Sequence, residues 1–321
     1  MTATMRVLMT DLPWGDAEVE QEILTAIGAD IVEAKDESEE ALVELAANVD
    51  AIATCWAKVT AKVIEASPRC CIVARMGIGL DNIDVEAATR RGIPVTNVPD
   101  YCLSEVSDHA LALLLACARK IGFFHSEIKR GKYDLQAAGP MHRLSQQTLG
   151  LIGFGRIAQA SLPKARALGL RVVAHSPSGN DHGLGVPMVS LDELFETSDF
   201  ISLHCPLNDK TRHLISSDAL ARIKPSAYII NTSRGGLIDS GALWDALQQS
   251  RIAGAGLDVF EQEPPDLNDP LLADPRVIAT PHAAFVSVES LHDLRMRSAH
   301  QILAALQGER PVNVVNPQIY Q

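Results

Sequence analysis

Residues 148–158 read TLGLIGFGRIA, an apolar run that ends in G-x-G-x-x-A and leads into a helical pattern. Few folds accept that order of parts. Gly153 lets a strand turn sharply, and Gly155 leaves the backbone open to close approach. Ala158 stands where a third glycine is usual, and it is small enough for the helix to pack on the strand. The free amides and dipole of the helix N-terminus then make a seat for an anion, and the spacing matches the pyrophosphate of a dinucleotide. Alone, the motif also describes a tight strand–helix turn without ligand, so its surroundings decide.

Those surroundings are βα units. Apolar runs at Val7–Met9, Ile31–Val32, Ala51–Ala53, Ile72–Ala74 and Pro94–Val98 predict strands, and Ala17–Ile27, Glu39–Ala47, Ala61–Ala66 and Val85–Arg91 carry helical patterns between them. Such alternation makes a parallel sheet covered on both faces, here a flavodoxin-like unit. A second series begins at Thr148, with strands at Leu149–Gly153, Arg171–Ala174, Phe200–Leu203, Ala227–Asn231, Ala255–Val259 and Val277–Ala279, enough for a dinucleotide-binding domain. An apolar helix at Ser104–Lys120 and a polar stretch at Gly122–Gln147 lie between the series, and Ser290–Leu306 is a final helix. The fold class is therefore α/β with two doubly wound parallel-sheet domains.

Composition narrows the function classes. A formal charge of −12 repels the phosphate backbone of nucleic acids, and 4% aromatic residues make a poor stacking platform. A local arginine can still meet a carboxylate. The six cysteines, Cys55, Cys70, Cys71, Cys102, Cys117 and Cys205, show no C-x-x-C pairing and lie mostly in apolar runs, as buried free thiols of a reducing cytosol do. No basic start leads into a long apolar stretch, and the longest apolar run, Ala110–Ala118, is too short to span a bilayer. A cytoplasmic protein without metal, membrane or nucleic-acid partner is expected.

Three polar segments follow the ends of three late strands: N-T-S-R-G-G (231–236), D-V-F-E-Q-E-P (258–264) and T-P-H (280–282). In an open parallel sheet that edge is where ligands bind, so Arg234, Glu263 and His282 can converge although far apart in sequence. An arginine clamps a carboxylate with two charge-assisted bonds and polarises a neighbouring keto oxygen. A histidine supplies the proton that carbonyl reduction needs, and a carboxylate beside it favours the imidazolium and fixes its orientation. The chemistry is hydride from a nicotinamide and a proton from His282.

With these segments and R-M-G-I-G-L-D-N-I-D (75–84), the chain resembles the D-isomer-specific 2-hydroxyacid dehydrogenases over nearly its whole length. The resemblance implies that Arg234 binds substrate, Glu263 assists and His282 is the acid/base. It further implies that the Gly77–Ile78–Gly79 backbone and Arg75 meet the substrate, and that Thr232 and Asp258 meet the nicotinamide carboxamide. Gly153, Phe154, Gly155, Arg156, Ile157, Ser176, Cys205, Pro206, Thr211, Ser233 and His282 complete the expected cofactor site. A Rossmann dinucleotide-binding domain, 102–287, would be inserted into a substrate domain of 1–101 and 288–321, closed by the C-terminal helix. A homodimer with Gly122–Gln147 as its arm follows from the same likeness.

Glu263 argues against the formate dehydrogenases of that superfamily, which carry glutamine there. Arg75 matches a phosphate-binding arginine of phosphoglycerate dehydrogenases, but Thr54 replaces another. The segments 280–285 and 99–106 resemble the C-terminal-binding-protein corepressors, which keep the same three residues, so a nucleotide-sensing interaction protein is the alternative. Thr54, Cys55, Trp56, Tyr101 and Phe285 are candidates to shape the pocket of a small or uncharged 2-keto acid. Where an acid usually holds the ribose of NAD the chain reads Ala174, His175, Ser176, Pro177, Ser178, and no arginine or lysine follows at once. NAD and NADP both stay open.

Overall fold

The computed structural model describes residues 4–321. By its internal contacts the chain divides into two compact units, one running to Tyr101 and resuming at Ser287–Gln321, the other Cys102–Val286.

The first unit alternates β1 (Arg6–Met9), α1 (Glu18–Leu24), β2 (Asp30–Glu33), α2 (Glu39–Ala46), β3 (Ala51–Thr54), α3 (Ala61–Glu65), β4 (Val73–Arg75), α4 (Val85–Arg90) and β5 (Val95–Thr96). Its five strands are parallel in the order β2-β1-β3-β4-β5, the flavodoxin arrangement. Strands β1 and β3 are almost wholly buried because helices cover both faces, which is why they read as continuous apolar runs. The helix expected over 17–27 is shorter: α1 stops at Leu24, a 3₁₀ turn follows, and Gly28 ends it in the left-handed conformation. The run 94–98 keeps only two strand residues.

The second unit opens with α5 (Leu103–Ala118) and α6 (Ile121–Lys129). It then alternates β6 (Thr148–Ile152), α7 (Arg156–Ala167), β7 (Arg171–His175), α8 (Leu191–Thr197), β8 (Phe200–Leu203), α9 (Ser217–Arg222), β9 (Tyr228–Asn231), α10 (Ser240–Gln248), β10 (Gly254–Leu257), α11 (Pro270–Ala273) and β11 (Val277–Ala279). The sheet order is β11-β10-β9-β8-β6-β7, all parallel. A parallel bridge from Ala174 to Met188 adds one residue of a further strand beyond β7. Counted as the third strand, it gives the order 3-2-1-4-5-6 of dinucleotide-binding sheets, extended by one strand. The helix α6 lies inside the stretch read above as polar. Ile121, Phe124 and Ile128 recur at spacings of three and four, a helical period masked by the neighbouring glycine and charges.

After β11, the helix α12 (Val288–Leu306) belongs to the first unit and begins at a capping box on Ser287 and Ser290. Within that unit Arg295 of α12 grips Glu20 and Asp16 of the α1 region, with Nη2 2.8 Å from Glu20 Oε2 and 2.7 Å from Asp16 Oδ1. Farther on, Asn316 Oδ1 accepts the amide of Val95 at 2.8 Å.

Candidate active site

In the six-stranded sheet the chain leaves β6 and β8 toward opposite faces, which opens a crevice at their C-terminal ends. Gly153 turns there with φ 87°, and a Cβ on it would lie 2.7 Å from the backbone of His204 and Cys205. No side chain larger than hydrogen fits. Gly155 is the N-cap of α7, supplies no capping side chain, and has open space where its Cβ would stand. Ala158 is fully buried against the sheet. A bare helix end facing open space is what a pyrophosphate requires, so these residues fit a dinucleotide.

Around that crevice, Phe154 is buried with its ring 6.2 Å from that of His182, while Arg156 is exposed and Ile157 half-buried. Ser176 follows β7, its Oγ 3.2 Å from Ser178 Oγ. Burial pushes the Cys205 thiol up to about 11 and the His204 imidazole down to about 4, so that wall is uncharged near neutrality. Thr211 ties the loop after Pro206 by donating to Pro206 O at 2.7 Å. Ser233 Oγ donates to Leu203 O at 2.8 Å, which pins the β9 loop beside β8. Thr232 is buried and its hydroxyl has no hydrogen-bond partner. Orphaned groups of this kind mark a place for a polar ligand.

The catalytic candidates sit one loop further along the same edge. A Cβ on Gly235 would collide with the Phe260 carbonyl, so only glycine lets the Arg234 loop close onto the Phe260–Glu263 turn. Glu263 closes that turn on itself by accepting the Phe260 amide on Oε1 at 2.9 Å. Its other oxygen, Oε2, lies 2.6 Å from His282 Nδ1. Burial pushes the Glu263 carboxyl up, but the hydrogen bond and charge of His282, the Phe260 amide and the charge of Arg234 outweigh it and hold the group below its ordinary value. The Phe285 ring stands edge-on to the imidazole at 6.1 Å. An ionised carboxylate only accepts, so the proton of a neutral His282 sits on Nδ1, and Nε2 is the nitrogen that Glu263 does not engage.

Asp258 is fully buried behind this pair. Its Oδ1 accepts from Thr280 Oγ1 at 2.6 Å and the Ala283 amide at 2.9 Å, and Oδ2 from the Ala284 amide at 2.9 Å. His109 of α5 joins the cluster through Thr280. Nothing in the sequence singled it out, because a lone histidine among the serines and acids of the first turns of α5 reads as an ordinary polar position.

The remaining candidates stand on the C-terminal edge of the five-stranded sheet, within the first unit. Gly77 has φ 154°, and a Cβ there would run into the Arg75 guanidinium, which donates to Met76 O. Arg75 is buried and its Nε has no partner. Asn97 Nδ2 holds Ile78 O at 2.8 Å, in the turn that also contains Gly79. Thr54 spends its hydroxyl on Ala57 O, and Cys55 is buried with its thiol pushed up to about 12, chiefly by that burial. Trp56 and Tyr101 stay partly exposed. Among the described residues no helix is long and apolar enough to cross a membrane, and no three His, Cys, Asp or Glu side chains gather as a metal site.

Residues 111–284 match the family model described as D-isomer specific 2-hydroxyacid dehydrogenase, NAD binding domain. A glyoxylate reductase of Korarchaeum cryptofilum is 40% identical over 290 residues, covering 88% of this chain and 87% of that protein. Among solved structures, an acyclic imino acid reductase in complex with NADPH and D-Arg superposes with a TM-score of 0.86 at 29% identity, over 97% of this chain and 100% of that one. The D-lactate dehydrogenase of Aquifex aeolicus, complexed with NAD and lactic acid, superposes at 0.85 with 27% identity, over 95% and 96% of the two chains.

Proposed function

This chain belongs to the D-isomer-specific 2-hydroxyacid dehydrogenase family, and from that premise we propose that it reduces a small 2-keto acid such as glyoxylate or hydroxypyruvate to the D-2-hydroxy acid. The observation that carries the reading is the 2.6 Å contact between His282 Nδ1 and Glu263 Oε2 at the strand-end edge that also bears Arg234. NAD(P), when bound, would supply the hydride from its nicotinamide. Arg234 holds the substrate carboxylate and draws electron density from the keto oxygen. His282 gives that oxygen a proton from Nε2, and Glu263 steadies the imidazolium until the proton leaves. Arg75 and the Gly77–Ile78–Gly79 backbone take part in holding the substrate.

Steady-state turnover of a panel of 2-keto acids with NADH and NADPH tests this. Tight binding of either cofactor with no turnover of any acid would instead fit a nucleotide-sensing scaffold. On the cofactor side, Gly153, Phe154, Gly155, Arg156 and Ile157 seat the pyrophosphate. Cys205, Pro206 and Thr211 would line the crevice, and Thr232, Ser233 and Asp258 would hold the nicotinamide end. Ser176 stands where a ribose-binding carboxylate is usual. Ser176→Asp is expected to shift the ratio of kcat/KM values toward NAD about tenfold or more, since a carboxylate binds the ribose hydroxyls and repels the NADP phosphate. An unchanged ratio would place the ribose elsewhere.

We assign the working form to a cytosolic homodimer. None of the nine residues of α6 is buried, Ile121 and Ile128 are 55% and 54% exposed, and beyond them Tyr133 and Leu135 reach 95% and 81%. Apolar surface of that extent on an arm calls for a partner, and a second copy is the simplest. Light scattering at micromolar concentration is expected to give twice the chain mass; a monomer would remove the assignment.

A further inference from the structure

His109, in the N-terminal half of α5 just after Asp108, has a side chain 24% exposed. Its Nε2 lies 2.9 Å from Thr280 Oγ1 and 3.4 Å from Asp258 Oδ1. The protons of this cluster can be accounted for. A carboxylate only accepts, so the single hydroxyl proton of Thr280 is committed to Asp258. Thr280 Oγ1 must then accept from His109, which puts a proton on Nε2. The network runs one way, from imidazole to hydroxyl to carboxylate.

That carboxylate holds the turn that carries His282. The amides of Ala283 and Ala284 end on its two oxygens, and the amide of His282 donates to the Asp258 carbonyl at 2.7 Å. His282 itself has φ 53°, a left-handed conformation that a residue with a side chain keeps only when its neighbours hold it there. Four hydrogen bonds to or through Asp258 therefore set the direction of the imidazole. His109 is the outermost member of the set.

We propose that His109 is a positioning residue for the proton donor: by donating to Thr280 it fixes the rotation of the Asp258 carboxylate, and so aims the His282 ring. The proposal rests on the reading of His282 as acid/base. His109 touches neither the imidazole nor the keto acid in this scheme. It acts through orientation, so its effect falls mainly on kcat.

The test compares His109→Phe, which keeps volume and removes the donor, with His109→Gln, which keeps an N–H at similar reach. Keto-acid reduction by the full-length protein is measured with saturating cofactor. His109→Phe is expected to lower kcat about tenfold, a misalignment cost smaller than loss of the acid itself and larger than its change in the KM for cofactor. His109→Gln should recover most of that loss. In a His282→Ala background His109→Phe should cost nothing more, because the group it aims is gone. Thr280→Val cuts the network one step later and should reproduce the kcat loss, which keeps the test open if His109→Phe folds poorly. Equal losses in the Gln and Phe variants, or losses that multiply in the double variant, would overturn the proposal while leaving His282 as acid/base. Normal turnover in His282→Ala alone would overturn both.

Discussion

Replacing His282→Ala is expected to lower kcat for keto-acid reduction by about two to four orders of magnitude, the usual worth of a positioned acid. Cofactor affinity should barely move, because the pyrophosphate seat at Gly153–Gly155 lies on another strand. The expectation follows from the Nδ1 contact with Glu263, which assigns Nε2 the proposed proton transfer. Glu263→Gln refines the same experiment. Its carboxyl is held below the ordinary value, so it is ionised through the neutral range and fades as an anion only when pH falls through that lowered value. Glu263→Gln replaces that anion on His282 Nδ1 by a neutral amide of the same shape, so kcat for reduction should fall about tenfold or more with the fold intact. Turnover within threefold of the native chain in His282→Ala or in Glu263→Gln would remove the pair from the mechanism.

Arg234→Lys should cost about a hundredfold or more in kcat/KM for the keto acid, although the charge is conserved. A guanidinium offers two parallel donors to a carboxylate and fixes its plane, whereas an ammonium is a point charge on a flexible stem. Misplacing the reacting carbon by about an ångström carries a penalty of that size. The loss should appear in kcat as well as KM, since orientation matters most in the transition state. Cofactor binding, followed by fluorescence titration, should stay within a few-fold. If Arg234→Lys changes KM alone, the residue attracts the substrate without aligning it.

Much of this was legible from residues 148–158, because Gly153 and Gly155 answer to backbone geometry that no neighbour can supply for them. That Arg234, Glu263 and His282 stand along one edge was legible for a related reason: each follows a strand, and parallel strands end together. The contact between Glu263 and His282 was not readable as a distance, since it depends on Gly235 letting two loops close. His109 escaped because its contacts form only where α5 meets the turn after β11, a juxtaposition with no local signature. The third strand of the nucleotide sheet shrank to the bridge at Met188, too short for any periodicity to register. Helix α6 was hidden for the opposite reason, its apolar spacing diluted by charges that face solvent.

The split of the first unit also sets the order in which the chain can fold as it leaves the ribosome. Residues 102–286 are contiguous and hold both faces of their own sheet, so they can fold as soon as they emerge. The five-stranded sheet is synthesised first but finishes last. Glu20 waits for Arg295, and the amide of Val95 waits for Asn316, partners 275 and 221 residues downstream. Until then that sheet lacks the helix that covers one of its faces, and its apolar surface is open to chaperones or to neighbours. A truncation before Ser287 would therefore yield a soundly folded nucleotide domain tethered to an aggregation-prone leader, and late-chain substitutions would register as losses of yield before they registered as losses of rate.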